Sequence, residues 1–320
     1  MGRFLFATFA AFVFVFSVDN TEAASRNCTK AEKAEADDQL IAIAEDEAWR
    51  SQLTEAHLPF GAPRASGPTD NERTLVQGGY IMNHDDDLRT TLWVSYRLTA
   101  QDQAAAKDKD RVNCFRKDPR IHEDMTARPA DYKEKRYDQG HMANDADLKD
   151  DLTEQINSYV MSNMSPQECR FNRGIWLSLE HITRAWAREY STIYVTSGAL
   201  FDRDNDLVRD DDAEAARMRS NNGKQRVAVP SHYYRVVVRT DGEGFYSIAF
   251  LLDHTNDAHG TKWADVRPHV VGNIVAIEDV EDKADLSLFP KLDRNEIIQS
   301  ISGENWNFKN GASNLEGFCK

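Results

Sequence analysis

The sequence predicts an α+β protein with a mostly antiparallel central sheet flanked by helices. Three observations lead there. Runs of β-branched and aromatic residues at 75–82, 91–98, 191–197, 227–239 and 245–253 read as strands. Four of them form two neighbouring pairs joined by acidic or glycine-containing turns, as antiparallel strands require. Connections rich in turn residues replace regular strand–helix–strand units, and no glycine-rich nucleotide loop is present, which argues against a doubly wound parallel sheet.

The chain opens with Arg3, an apolar run from Leu5 to Val18 and the small residues Ala23, Ala24 and Ser25. That order predicts a cleaved secretory signal over residues 1–24, with an uncleaved anchor as the alternative; the run is short for a membrane span. A secreted or periplasmic protein, with no stable membrane association after signal cleavage, is the expectation. Cys28, Cys114, Cys169 and Cys319 then remain. An even count in an exported chain implies two disulfides with three possible connectivities. Chain ends often lie close together, which favours Cys28–Cys319; Cys114 and Cys169 each sit beside a polar cluster, which favours Cys114–Cys169.

Residues 25–70 predict an N-terminal helical extension and linker. Leu40, Ile41, Ile43, Ala44 and Trp49 recur roughly at helical spacing, and Gly61, Pro63, Gly67 and Pro68 mark a loop at the boundary. Residues 71–320 form the main domain. Its first strand pair, 75–82 and 91–98, is separated by Asp85-Asp86-Asp87. Residues 111–138 are polar and irregular, a pattern often tied to function. Leu148, Leu152, Ile156 and Val160 suggest a helix or loop, and Asn163 to Gln167 a turn. Residues 174–190 predict a strong helix buried through Trp176, Leu179 and Trp186, with Asn172 placed either to cap it or to face a cleft. Strand 191–197 and the pair 227–239 and 245–253 complete the sheet, and 280–288 reads as helix or loop.

The chain has 320 residues, is 29% charged and carries a net charge of −14, which excludes a protein that coats nucleic acid through its overall field. A local basic groove stays possible. The chemistry concentrates in Asp138-Gln139-Gly140-His141-Met142-Ala143 and in Asn172-Arg173-Gly174, followed by Glu180. Hydrolysis of a phosphodiester needs a base for water, charge stabilisation at phosphorus and a neutralised leaving oxygen. Histidine suits the first task near neutral pH. A hard divalent cation suits the others, and Mg²⁺ needs only one or two protein oxygens.

These blocks resemble the DNA/RNA non-specific endonucleases of the ββα-metal superfamily. The family signature Asp-Arg-Gly-His-x-Ala stands here as Asp138-Gln139-Gly140-His141-Met142-Ala143. Ser-Asn-x-x-Pro-Gln follows as Ser162-Asn163-Met164-Ser165-Pro166-Gln167, and Asn-x-x-x-Trp-x-x-Leu-Glu as Asn172 to Glu180 with Trp176 and Leu179 in place. The spacing from His141 to Asn172 is close to the family's, and the likeness spans roughly residues 75–285.

The resemblance implies a ββα-metal active-site motif, DNA and RNA as substrates, and Mg²⁺ (or Mn²⁺) as cofactor. It implies His141 as general base, Asn172 as the direct metal ligand, Glu180 as a holder of the metal's water and Arg111 as a phosphate contact. Asn163 is implied near His141, orienting the imidazole through its backbone carbonyl. Asp138 is implied to fix the local turn or water network, Gly140 to supply a backbone conformation closed to other residues. His181 is expected to face away from the metal. Gln139 departs from the family's arginine; it keeps hydrogen-bonding capacity and loses the charge, which Arg136, Arg170 or Arg173 could restore. A small-substrate phosphodiesterase of the same fold and a catalytically weakened nucleic-acid-binding member are the alternatives.

Overall fold

The computed structural model describes residues 25–320 except 207, 220–226, 243, 310, 312–314, 316–318 and 320. The signal expected at 1–24 lies outside the described residues. In chain order the elements are β1 (Ser25–Asn27), α1 (Lys30–Glu45), α2 (Glu47–His57), β2 (Arg64–Ala65), β3 (Glu72–Val76), β4 (Ile81–Asp85), β5 (Thr90–Thr99), α3 (Ala100–Ala105), β6 (Arg111–Asn113) and β7 (Tyr137–His141). There follow α4 (Leu152–Asn157), β8 (Met164–Glu168), a π-helical turn (Phe171–Trp176), α5 (Leu177–Tyr190), β9 (Thr192–Leu200), β10 (His232–Thr240) and β11 (Phe245–Asp253). The chain ends through α6 (Trp263–Gly272), β12 (Ile274–Val275), α7 (Ile277–Ala284), β13 (Leu286–Ser287) and β14 (Ile297–Gln299).

One eight-stranded sheet dominates, in the order β12-β11-β10-β9-β5-β4-β3, with β14 added parallel to β11. Every other neighbour in it is antiparallel, so the α+β expectation holds. The central strands β5 and β10 are buried along nearly their whole length. The π-helical turn and α5 lie on the sheet through Trp176 and Trp186 respectively, both fully buried. The Trp186 ring stacks on Phe250, and the Arg235 guanidinium sits 4.6 Å from the Trp176 ring centroid. Arg235 thereby satisfies part of its charge against an aromatic face in the core.

The first expected strand, 75–82, is instead a hairpin. β3 and β4 pair antiparallel around Gly78-Gly79, closed by Gln77 N–H donating to the Tyr80 carbonyl at 2.9 Å. A side chain at either glycine would collide with the Glu154 carboxyl. Residue type and local crowding thus both select a turn there.

α1 begins at a Thr29–Glu32 capping box and buries Ala36, Leu40 and Ile43. It docks beside α4, where Gln39 accepts from Asn157 at 2.8 Å and Asp37 pairs with the buried Arg116 at 2.7 Å. Segment 59–71 crosses the main body: Phe60 packs edge-on to Tyr194, Phe245 and Phe289, and β2 pairs with β13.

The disulfides are Cys28–Cys114 and Cys169–Cys319, which corrects the expected Cys28–Cys319 and Cys114–Cys169. Strand pairing explains the first. β1 runs parallel to β6 with Asn27 opposite Asn113, so the next residues on each strand, Cys28 and Cys114, meet with Cα atoms 5.3 Å apart. The C-terminal segment crosses back to the chain just after β8 and delivers Cys319 to Cys169.

Candidate active site

β7 and β8 pair antiparallel, with Gln139 opposite Pro166, Gly140 opposite Ser165 and His141 opposite Met164. The motif around His141 and the segment just after Asn163 are thus the two strands of one ladder, and the π-helical turn and α5 follow directly. This strand–strand–helix unit brings Asp138, Gln139, His141, Asn172 and Glu180 to one cleft of about 1040 Å³, and β6 adds Arg111 to its wall. Asn163 is not on the cleft wall; it is fully buried beneath it.

Glycine at 140 is required by crowding, not by backbone angle. Its φ is outside the left-handed region, which corrects the expectation of a special conformation. A Cβ there would lie 2.2 Å from the side chain of the fully buried Gln167. Asn163 clamps the chain after His141 from below. Its Oδ1 accepts from Ala143 N–H at 2.9 Å, and its Nδ2 donates to the carbonyls of Ala143 at 2.9 Å and Ser158 at 2.7 Å. Its own carbonyl accepts from Met142 N–H at 3.1 Å. Asn163 therefore acts on the backbone beside His141, and the expected route through its carbonyl to the imidazole is replaced by this clamp. Trp176 Nε1–H adds a bond to the His141 carbonyl at 3.4 Å.

The imidazole of His141 is buried against the edge of Tyr159, with ring centroids 4.6 Å apart, and Phe115 lies at 5.9 Å. Burial pushes its pKa down to about 4; Asp145 opposes that shift and Arg111 adds to it. The ring is thus neutral at physiological pH. Its Nε2 is buried and makes no hydrogen bond among the described residues. Burial works to raise the neighbouring Asp145 carboxyl, but His141, Arg111 and Tyr159 hold it below its usual value. Arg111 reaches Asp145 at 3.0 Å and the Tyr159 hydroxyl oxygen at 2.7 Å, and its half-exposed guanidinium borders the cleft.

Across the cleft, Asp138 makes a bidentate pair with Arg173, both bonds 2.8 Å, and accepts from Asn172 Nδ2 at 3.0 Å. This fixes the amide of Asn172 by its nitrogen and leaves Oδ1 as the atom that can face a cation. The π-helical turn places Asn172 within the helical run, so it is not the N-cap that the sequence left open. Glu180 is 3% exposed, and its carboxyl is pushed up to about 7 by burial, against the pull of Arg235 and Arg184. No salt bridge reaches it among the described residues, since Arg184 pairs with Asp147 at 2.8 Å. An amide oxygen left free at Asn172, in a cleft also lined by a buried carboxyl without an ion pair, suits a hard cation such as Mg²⁺ or Mn²⁺ that keeps most of its waters. His181 lines both the cleft and the groove beside it.

Gln139 is half-buried in the cleft wall. Of the arginines that could restore its missing charge, Arg136 is paired with Glu168, and Arg173 is the one that borders the cleft. Sequence reasoning missed Phe115, Asn144, Asp145 and Arg184, which all line it. Arg184 had a signal: it falls one helical turn after Glu180 on α5, on the same face. Asp145 and Phe115 sit in irregular chain and had none.

A second acidic group lies elsewhere. Asp202, Asp204 and Asp210 bring carboxylate oxygens within 4.8 Å of one another and form a candidate cation cluster. Lys283 already donates to Asp202 at 2.7 Å.

The ββα unit thus presents a neutral histidine, an asparagine and a buried glutamate to one cleft. In comparison with known proteins, the profile described as DNA/RNA non-specific endonuclease matches residues 61–295, and the chain belongs to that family. Nuclease C1 of Cunninghamella echinulata var. echinulata is 30% identical over 246 residues, covering 76% of this chain and 91% of its own. Human mitochondrial endonuclease G is 32% identical over 161 residues, 50% of this chain and 52% of its own. A solved structure titled as the EndoG/EndoGI complex superimposes with a TM-score of 0.61 at 25% identity, covering 77% of this chain and 95% of its own. At the level of the family, the chain is a hydrolytic nuclease that acts on nucleic acid.

Proposed function

We propose that the protein is an exported, metal-dependent endonuclease that hydrolyses DNA and RNA without strong base preference. The observation that carries this is a neutral, unpartnered His141 sharing one cleft with an Asn172 whose amide nitrogen is tied down by Asp138. His141 takes the proton of the attacking water, a task worth about 10²–10⁴-fold. Asp145 stands ready to stabilise the imidazolium that results, and Tyr159 and Asn163 hold the ring and its backbone in place. Asn172 would hold Mg²⁺ or Mn²⁺, with Glu180 orienting water around it. Bound there, the cation supplies the charge that stabilises the phosphate and the leaving oxygen. Arg111 contacts a phosphate oxygen with the edge that Asp145 and Tyr159 leave free, and Arg173 supplies part of the positive charge that Gln139 lacks.

Contacts to phosphate carry no direct base information, so weak sequence preference follows, and the family resemblance adds 5′-phosphate products. Two disulfides suit an oxidising compartment, which supports export. Among the described residues, no helix is long and apolar enough to cross a membrane. The cleft continues into an adjoining groove, which favours a polymer over a small phosphodiester. The test is plasmid cleavage in Mg²⁺. Cutting that EDTA stops and that His141→Ala abolishes supports the reading; metal-dependent binding without cutting sinks it.

A further inference from the structure

Beside the catalytic cleft lies a second groove, of about 650 Å³, that shares Ala146, His181 and Arg184 with it. Its floor is small: Ala100 and Ala104 from α3, Ala106 just after it, and Ala146. Its rim is cationic. Lys107, Lys149 and Arg188 border it with His181 and Arg184, and no carboxylate lines it. Arg184 is paired with Asp147, but Lys107, Lys149 and Arg188 have no ion pair among the described residues.

That arrangement is out of keeping with a chain of net charge −14. Elsewhere its arginines are mostly consumed: Arg73 by Asp86, Arg116 by Asp37, Arg120 by Asp118 and Arg136 by Glu168. Three cations without an ion pair stand around an alanine floor, a place where small side chains let a polymer backbone approach closely. The groups also repel one another. Desolvation first, and then Arg184, lowers Arg188 from its usual value, and desolvation, Arg184 and Arg188 push His181 down. An incoming anion would relieve that repulsion.

We infer that this groove is a phosphate-binding track that carries the nucleic-acid backbone away from the scissile bond, with Lys107, Lys149 and Arg188 as its contacts. The inference rests on the nuclease reading and adds to it a binding site and the path of the polymer. Alanines below and cations at the rim fit a sugar–phosphate strand, because small residues admit the backbone and the cations meet successive phosphates. Such contacts position a strand without reading its bases.

The experiment uses the full chain with Lys107→Ala, Lys149→Ala and Arg188→Ala combined, none of them in the catalytic machinery. Binding of a fluorescein-labelled duplex is followed by anisotropy against salt, on a His141→Ala background in Mg²⁺. Turnover of the duplex and of bis(p-nitrophenyl) phosphate is followed with His141 intact. Each lost phosphate contact lowers the slope of log K against log salt by about 0.9, so the triple variant should lose roughly 2–3 units of slope and bind at least about tenfold more weakly at low salt. KM for duplex should rise while turnover of the small ester holds. The Lys107→Arg, Lys149→Arg, Arg188→Lys variant should restore binding. Unchanged slope and affinity, with the wild type cutting duplex normally, overturns the track and leaves the nuclease reading standing. Equal loss on duplex and small ester also overturns it, because the centre itself was then disturbed. A wild type that neither binds nor cuts duplex sinks the nuclease reading and the track with it.

Discussion

Two groups of acids in this chain face opposite circumstances. Asp202, Asp204 and Asp210 converge within 4.8 Å, yet their charge is answered where they stand: Lys283 sits against Asp202, and backbone N–H groups of Asp206 and Arg203 donate to Asp202, Asp204 and Asp210. In the catalytic cleft the acids are more dispersed and more unequal. Asp138 is spent on Arg173 and Asn172, Asp145 on Arg111 and Tyr159, while Glu180 is buried without an ion pair. Crowded carboxylates therefore do not make a cation site by themselves. What distinguishes the cleft is one buried acid without an ion pair, in the same cavity as an amide oxygen that its neighbours keep free. That difference can be broken by experiment, and the tests below run from the largest expected effect to the smallest.

His141→Ala should lower duplex cleavage by about 10²–10⁴-fold, the usual worth of a general base, while Mg²⁺ binding followed by calorimetry holds. A loss under tenfold would move the base elsewhere in the cleft. Next comes the metal itself. Asn172→Ala should raise the Mg²⁺ concentration needed for half-maximal cleavage by at least about tenfold, and Asp138→Ala should cost about 10–100-fold through the lost grip on Asn172. The combined Asp204→Asn and Asp210→Asn change should leave the Mg²⁺ dependence within twofold. If that loop variant shifts the Mg²⁺ requirement and Asn172→Ala does not, the two acidic groups have been assigned the wrong way round.

Much of the cleft was legible because its parts are contiguous. Asp138 to His141 and Met164 to Gln167 lie on paired strands, and alternation along a short ladder keeps each block's geometry intact from sequence to space. Asn172 and Glu180 were legible as a spaced pair on a helix, although the π-helical turn beneath Asn172 was not. The sheet strands were legible by their β-branched and aromatic runs, except where Gly78-Gly79 split one of them into a hairpin. What stayed hidden depends on which distant segments meet. The Cys28–Cys114 pair followed from the parallel pairing of β1 with β6, a contact with no local sequence signature, and the packing of Phe115 against the His141 ring had no local signature either. The expected special backbone at Gly140 failed for the same reason: the crowding comes from Gln167 across the ladder.

Gln139→Arg tests the smaller uncertainty of the cleft. Arg173 already brings a guanidinium to the wall, partly neutralised by Asp138. The added charge should therefore leave duplex turnover unchanged or raise it by a few-fold, since one further charge at a partly exposed wall is worth about 1 kcal/mol or less. A loss beyond tenfold would show that the site is built around the amide and that positive charge there is harmful.

Glu154 sharpens the criterion further, because it shares one property with Glu180 and lacks the other. Its carboxyl is also pushed up to about 7, by burial first and then by Asp151 and Asp150, yet it faces the Gly78-Gly79 turn and not the cleft. If unmet charge marks function only where a cavity admits a cation, Glu154→Gln should leave cleavage and its Mg²⁺ dependence untouched and act on stability alone. The sign follows from linkage. A carboxyl whose folded pKa lies above its unfolded value of 4.5 binds its proton more tightly in the native state. Its stabilising contribution is then full below about pH 4.5 and is lost as pH rises through about 7. Glutamine, which never ionises, should thus stabilise the fold at pH 8 by on the order of 1–3 kcal/mol, seen as a higher melting temperature, and have little effect at pH 4. Thermal melts of wild type and variant across that range measure it. A variant that is less stable at pH 8 would mean that the ionised carboxylate has a native partner, and a variant that needs more Mg²⁺ would extend the cation's reach to the hairpin turn.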